Sequence, residues 1–189
     1  MQGKITQRIT DELVLIKIID PEESELYKYG LQQGALILLN ILTILIVGKI
    51  FGMLLESVVF MVTYIPLRTY AGGYHARTQL KCYISSVVLI IAVLLGIRFI
   101  PWTNFIILMI SIISGLIIYI LSPVADSNKP LNVTEVKVYK KNARIILAFE
   151  FSVLILMINL EVNSIAGCIS VSLLSLCVML ILGRNRKLI

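Results

Sequence analysis

An all-α, polytopic membrane protein is the fold class this sequence predicts, and three observations predict it. Of the 189 residues, 58% are hydrophobic and the mean hydropathy is +0.94, against roughly 45–50% apolar in soluble domains. The apolar residues gather into six blocks, at about 31–47, 50–66, 83–100, 103–122, 145–160 and 165–182. Each is near the lower limit for crossing a ~30 Å hydrocarbon core. Finally, the basic residues fall on alternate sides of those blocks.

The chain begins with Ile5, Ile9, Leu13 and Ile16 at helical spacing, with Lys4, Arg8 and Asp11 on the other side. That pattern predicts an amphipathic helix within 1–28 lying on the membrane surface, although Val14 and Ile18 blur its face. No apolar run follows a basic start, so a cleavable signal is not expected. Gly48-Lys49 divides the first two blocks, Pro101-Trp102 the third and fourth, and Glu161-Val-Asn-Ser the fifth and sixth. Pro66 is expected to stop the second span. Ser122-Pro-Val-Ala-Asp126-Ser-Asn128-Lys-Pro130 reads as a turn-rich exit from the fourth, and Val133 to Lys141 as the start of a short helix within a cytoplasmic basic loop, 123–144. The whole chain, 1–189, reads as one integral membrane domain.

Fifteen of the seventeen Lys and Arg lie in the N-terminal segment, the second loop, the fourth loop and the tail; the other side holds only Lys49 and Arg98. Basic residues accumulate in cytoplasmic loops. Six spans with both termini inside fit that distribution. Four fit as well if the first or last pair is re-entrant or interfacial, whereas five would place two basic clusters outside. Tyr64, Tyr70, Tyr74 and Tyr83 flank the second loop, and Trp102 sits at an outer turn, as suits rings at headgroup level. The net charge of +6 therefore speaks of orientation and anionic lipid. Nucleic acid is not an expected partner.

The chemistry concentrates in 67–82. His75 is the only histidine, and Cys82 follows it by seven residues at the mouth of an apolar run. A thiol becomes a strong nucleophile when a base or a positive field favours its thiolate. Gly72-Gly73 allow a tight path, and Thr78 is placed to cap a new helix. Cys82 then falls near the first turn, where the helix dipole and the charges of Arg77 and Lys81 favour the anion. Residues seven apart on one straight helix have Cα atoms about 10.5 Å apart. His75 is therefore expected in the loop, folded back over the helix start, with pairing across a dimer as the alternative. On spacing alone, an interfacial histidine beside an inert thiol is the more economical reading.

Glu56 falls near the middle of the second block, where a buried acid is costly and tends to be functional or paired. Glu150 reads as close to an interface. Asp126 is a candidate to orient His75 as the third member of a triad, though Asp is also common in such turns. Cys168 and Cys177 read as packing residues. The odd cysteine count, without CxxC pairs, suggests neither a disulfide framework nor a metal site. No cofactor is expected.

Arg68, Gly72-Gly73-Tyr74-His75-Ala76, Cys82 and the later Ser122-Pro123…Asn128-Lys129-Pro130 resemble the accessory gene regulator B (AgrB) family, integral membrane cysteine endopeptidases of Gram-positive quorum sensing. Length, amphipathic start and hydropathy resemble the family along nearly the whole chain. The GGYHA…C block is far more specific than a His/Cys spacing and favours catalysis. The resemblance implies a cell-membrane enzyme with His75 and Cys82 as catalytic residues on the cytoplasmic side. It also implies an AgrD-type propeptide as substrate, an acyl-enzyme thioester leading to a thiolactone or lactone ring, and a homodimer. Arg68, Arg77 and Lys81 then become candidates for binding substrate carboxylates or the oxyanion, with headgroup anchoring as their plainer role, and Gly72 and Gly73 permit the loop geometry. The alternatives are a small transporter, which predicts that Cys82→Ser leaves function intact, and a scaffold without chemistry, which predicts that no thiol-reactive probe labels Cys82 ahead of Cys168 and Cys177.

Overall fold

A computed structural model describes residues 2–74, 78–124 and 132–185. His75, Arg77, Asp126, Asn128 and Lys129 lie outside the described residues. Among the described residues seven α-helices follow in order: α1 (Gln2–Leu15), α2 (Ser24–Ile50), α3 (Leu54–Ala71), α4 (Gln79–Phe99), α5 (Asn104–Leu121), α6 (Val133–Asn159) and α7 (Asn163–Asn185). A single 3-10 turn, Pro21–Glu23, precedes α2. Among the described residues five segments are long and apolar enough to cross a membrane: Pro21–Ile50, Leu80–Phe99, Asn104–Leu121, Val133–Asn159 and Asn163–Arg184. The all-α, multi-pass reading therefore holds. Of the expected six spans, α3 stands outside this set, because Glu56, Arg68 and Pro66 interrupt its apolar sequence.

Residues 1–43 and 44–189 form two compact units. In the first, the Thr10 hydroxyl donates to the Thr6 carbonyl at 2.8 Å, and the Gln32 amide donates to the Thr6 hydroxyl at 3.3 Å. Thr6 and Thr10 of α1 are buried, while Ile9 and Leu15, and Ile16 and Ile18 just after the helix, are exposed. The expected helix is present, with Ile9 and Leu15 exposed and Leu13 and Val14 partly covered. Along α2, Asn40 and Thr43 return their side-chain donors to the carbonyls one turn back, as polar groups in an apolar helix must.

In the second unit α7 is the hub. It packs against α3, α4, α5 and α6, and 67% of its apolar window is buried, against 28% or less for any other span. Small residues allow the close approach. A Cβ on Gly115 would lie 2.5 Å from the Phe151 ring of α6, and one on Gly167 would lie 2.9 Å from the Trp102 indole. The Ser170 hydroxyl donates to the Ile107 carbonyl at 3.3 Å, tying α7 to α5 inside the core.

Four expectations are corrected. The first break comes later than Gly48-Lys49: α2 runs to Ile50, and Gly52, with φ +67°, makes the turn. Pro66 does not stop its helix, which continues to Ala71. Proline removes one backbone donor but is tolerated where packing holds the turn, and α3 is packed against α4, α6 and α7. Val133–Lys141 is no separate short helix. It is the first third of α6, started by a reciprocal capping box in which Asn132 accepts from the Glu135 N–H at 2.8 Å and Glu135 accepts from the Asn132 N–H at 2.9 Å. The fourth concerns Glu56, expected near the middle of its span. Glu56 sits in the first turn of α3, where the helix dipole favours a carboxylate. Glu150 is 4% exposed, and its Oε2 has no hydrogen-bond partner among the described residues.

Candidate active site

The site is assembled where α3 ends, α4 begins, and the exit of α5 meets the last turns of α7. Gly72 leaves α3 with φ +74° and Gly73 follows with φ +121°. Both angles suit glycine alone, and space demands it as well. A Cβ on Gly72 would strike the Val124 carbonyl, and one on Gly73 would meet the Arg68 guanidinium and lie 3.0 Å from the Met179 carbonyl.

Backbone hydrogen bonds then fix the path. The Val124 N–H donates to the Ala71 carbonyl at 2.9 Å, and the Gly73 N–H donates to the Val124 carbonyl at 3.3 Å. Gly72 and Val124 thus form an isolated parallel bridge. The next residue, Tyr74, donates its N–H to the Met179 carbonyl of α7 at 2.9 Å. The Arg68 guanidinium spans the turn, donating to the Gly72 and Tyr74 carbonyls. Charge-assisted bonds of this kind are the stronger class. Arg68, expected as a substrate ligand, thus spends donors on holding the loop. Gly183 completes the seat, since a Cβ there would lie 2.7 Å from the Gly73 carbonyl carbon and from the Tyr74 nitrogen.

Downstream, Thr78 caps α4 and its hydroxyl accepts from the Lys81 N–H at 3.3 Å. Cys82 follows in the first turn, its N–H bonded to the Thr78 carbonyl at 3.0 Å. Of the three cysteines, none in a disulfide, Cys82 is half-buried whereas Cys168 and Cys177 are 0% and 4% exposed. One thiol alone is open to a reactant. Lys81 is exposed beside it. Among the described residues no three His, Cys, Asp or Glu come together as a metal would require.

Sequence reasoning missed four participants, one of them Val124, whose backbone bridges to Gly72. Tyr64, counted only as an interfacial ring, lies one turn before Arg68 and within electrostatic reach of both Arg68 and Cys82. Its i, i+4 relation to Arg68 was the available signal. Met179 and Gly183 reach the loop through tertiary packing and left no local trace.

The fold and the site define a multi-pass helical membrane protein that presents one accessible thiol at a capped helix start, beside a glycine turn pinned by arginine. Across residues 3–181 the sequence matches the family model described as Accessory gene regulator B, and the chain belongs to that family. An AgrB-like protein of Clostridium perfringens strain 13 is 29% identical over 168 residues, covering 85% of this chain and 77% of that protein. A second, from strain SM101, is 29% identical over 167 residues, covering 84% and 76%. FsrB of Enterococcus faecalis strain OG1RF is 43% identical over 56 residues, covering 30% of this chain and 23% of FsrB. No solved structure matches the chain significantly. Membership places the protein in the accessory gene regulator system of quorum sensing.

Proposed function

We propose that the protein is a cysteine endopeptidase of the cell membrane that cleaves an AgrD-type propeptide and carries the new C-terminus as a thioester. The observation that carries this reading is the Cys82 thiol, the only accessible one of three, in the first turn of capped α4. In the sequence His75 is the residue after the pinned Tyr74.

In this reading His75 takes the thiol proton. The Cys82 sulfur attacks the scissile carbonyl, the C–N bond breaks, and the departing amine receives the proton. An internal cysteine or serine of the peptide then attacks the thioester carbonyl. The ring closes as a thiolactone or lactone and the Cys82 thiolate leaves. A thioester conserves much of the acyl activation, so closure need not begin from a free carboxylate. Excluding water protects the intermediate, and holding the peptide's two ends together accelerates closure. Arg77 and Lys81 supply positive charge toward substrate carboxylates and the oxyanion, while Arg68, Gly72 and Gly73 hold the turn. Asp126 is the candidate to orient His75. The site and both termini face the cytoplasm, where thiols stay reduced, and the protein works as a homodimer.

The test is co-expression with the cognate precursor peptide, followed by mass spectrometry. Wild type should give a cleaved, cyclised product, and Cys82→Ala and His75→Ala should give none at equal protein level. Product from Cys82→Ala would overturn the proposal.

A further inference from the structure

The first turns of α6 carry Lys137, Lys140, Lys141 and Arg144 at helical spacing, so all four stand on one face. They line a groove whose remaining wall is Ile145 and Ala148. The three lysines are exposed, and among the described residues none of the four cations has a carboxylate partner. The acids of α6 are used elsewhere, Glu135 in the capping box and Glu150 buried below.

Arg144 marks the lower edge. Its guanidinium carbon lies 3.9 Å from the centroid of the Tyr119 ring. That contact uses the flat face of the guanidinium and leaves its edge donors for an in-plane acceptor such as a phosphate. Beyond Arg144 the same face turns apolar and stays open, with Ile145 56% and Ile155 51% exposed. Ile155 is five helical turns past Lys137, and the rise from Arg144 to Ile155 is about 16 Å. That is close to one leaflet of a ~30 Å hydrocarbon core.

We infer that this face is a binding site for an anionic phospholipid, with the headgroup phosphate among the four cations and an acyl chain along Ile145, Ala148 and Ile155. An acidic peptide would account for the cations alone. The uncovered apolar continuation favours an amphiphile. The inference stands independently of the peptidase reading.

The full chain is reconstituted in nanodiscs of equimolar phosphatidylglycerol and phosphatidylcholine with identical chains, and retained lipid is read by native mass spectrometry. Wild type should retain phosphatidylglycerol preferentially, with the preference falling about five-fold per cation removed. K137Q/K140Q/K141Q/R144Q should retain the bulk ratio, and K137R/K140R/K141R should keep the preference, with unchanged size-exclusion elution certifying both folds. Bulk-ratio retention by wild type, or undiminished preference in the quadruple glutamine variant, would overturn the inference. So would displacement of the lipid by free glycerol phosphate at equal concentration, which would point to a phosphate site. Binding of a Glu-rich peptide to the same cations without competition from phosphatidylglycerol would also overturn it.

Discussion

Gly183→Ala separates tertiary geometry from helix propensity by sign. Position 183 is inside α7, where alanine is favoured over glycine by about 1 kcal/mol. The added Cβ, however, would lie 2.7 Å from the Gly73 carbonyl carbon and the Tyr74 nitrogen, so loop and helix must part by about 0.8 Å to reach ordinary contact. The Tyr74 N–H bond to the Met179 carbonyl is 2.9 Å long, and that displacement along it passes the limit of a hydrogen bond. Losing it costs about 1–3 kcal/mol, which outweighs the propensity gain. A displacement near 1 Å at a reacting centre costs on the order of 10²-fold in rate. The variant should therefore make propeptide product 10- to 100-fold more slowly, by about that estimate, while eluting as wild type, with a lowered melting temperature in detergent. Wild-type product formation with a raised melting temperature would refute the seat that α7 is argued to give the loop.

Two further outcomes follow from the packing. A maleimide applied to the folded protein should label Cys82 ahead of Cys168 and Cys177, so Cys82→Ser should remove the first-reacting site; equal labelling of all three would count against an accessible, activated thiol. Gly115→Ala should destabilise by about 1–3 kcal/mol through overlap with Phe151, and Phe151→Leu in the same chain should recover part of that loss, as a double-mutant cycle in thermal unfolding would measure.

Much of the fold was legible because membrane sequence is read by composition and length. The turn at Pro101-Trp102, the cap at Thr78 and the place of Cys82 in the first turn of α4 all follow from local rules. What failed was local reasoning about positions held by neighbours. Pro66 lies in a helix because three other helices pack around α3. Lys137 to Arg144 joined α6 because the Asn132 capping box starts the helix earlier than its apolar part. The burial of the Glu150 carboxyl among its neighbours left no local signal in the sequence. At the site, the glycines and Arg68 were visible in sequence, but the use of the guanidinium on the Gly72 and Tyr74 carbonyls was not. Val124, Met179 and Gly183 are ordinary residues in apolar surroundings, and only their distance from the loop gives them meaning. His75, Arg77 and Asp126 lie outside the described residues, so their roles rest on motif and chemistry.

The helix that packs against α3 to α6 is also the last described one to leave the ribosome. While α3 to α6 are being inserted, the surface each will offer to α7 has only lipid or a neighbour to cover it, and Tyr74 has no carbonyl from Met179 to meet. Packing of α3 to α6 around a common partner, and seating of the Gly72-Gly73 turn, therefore wait for α7. Until α7 is in place, α3 to α6 can be inserted while the Gly72-Gly73 turn still lacks its seat.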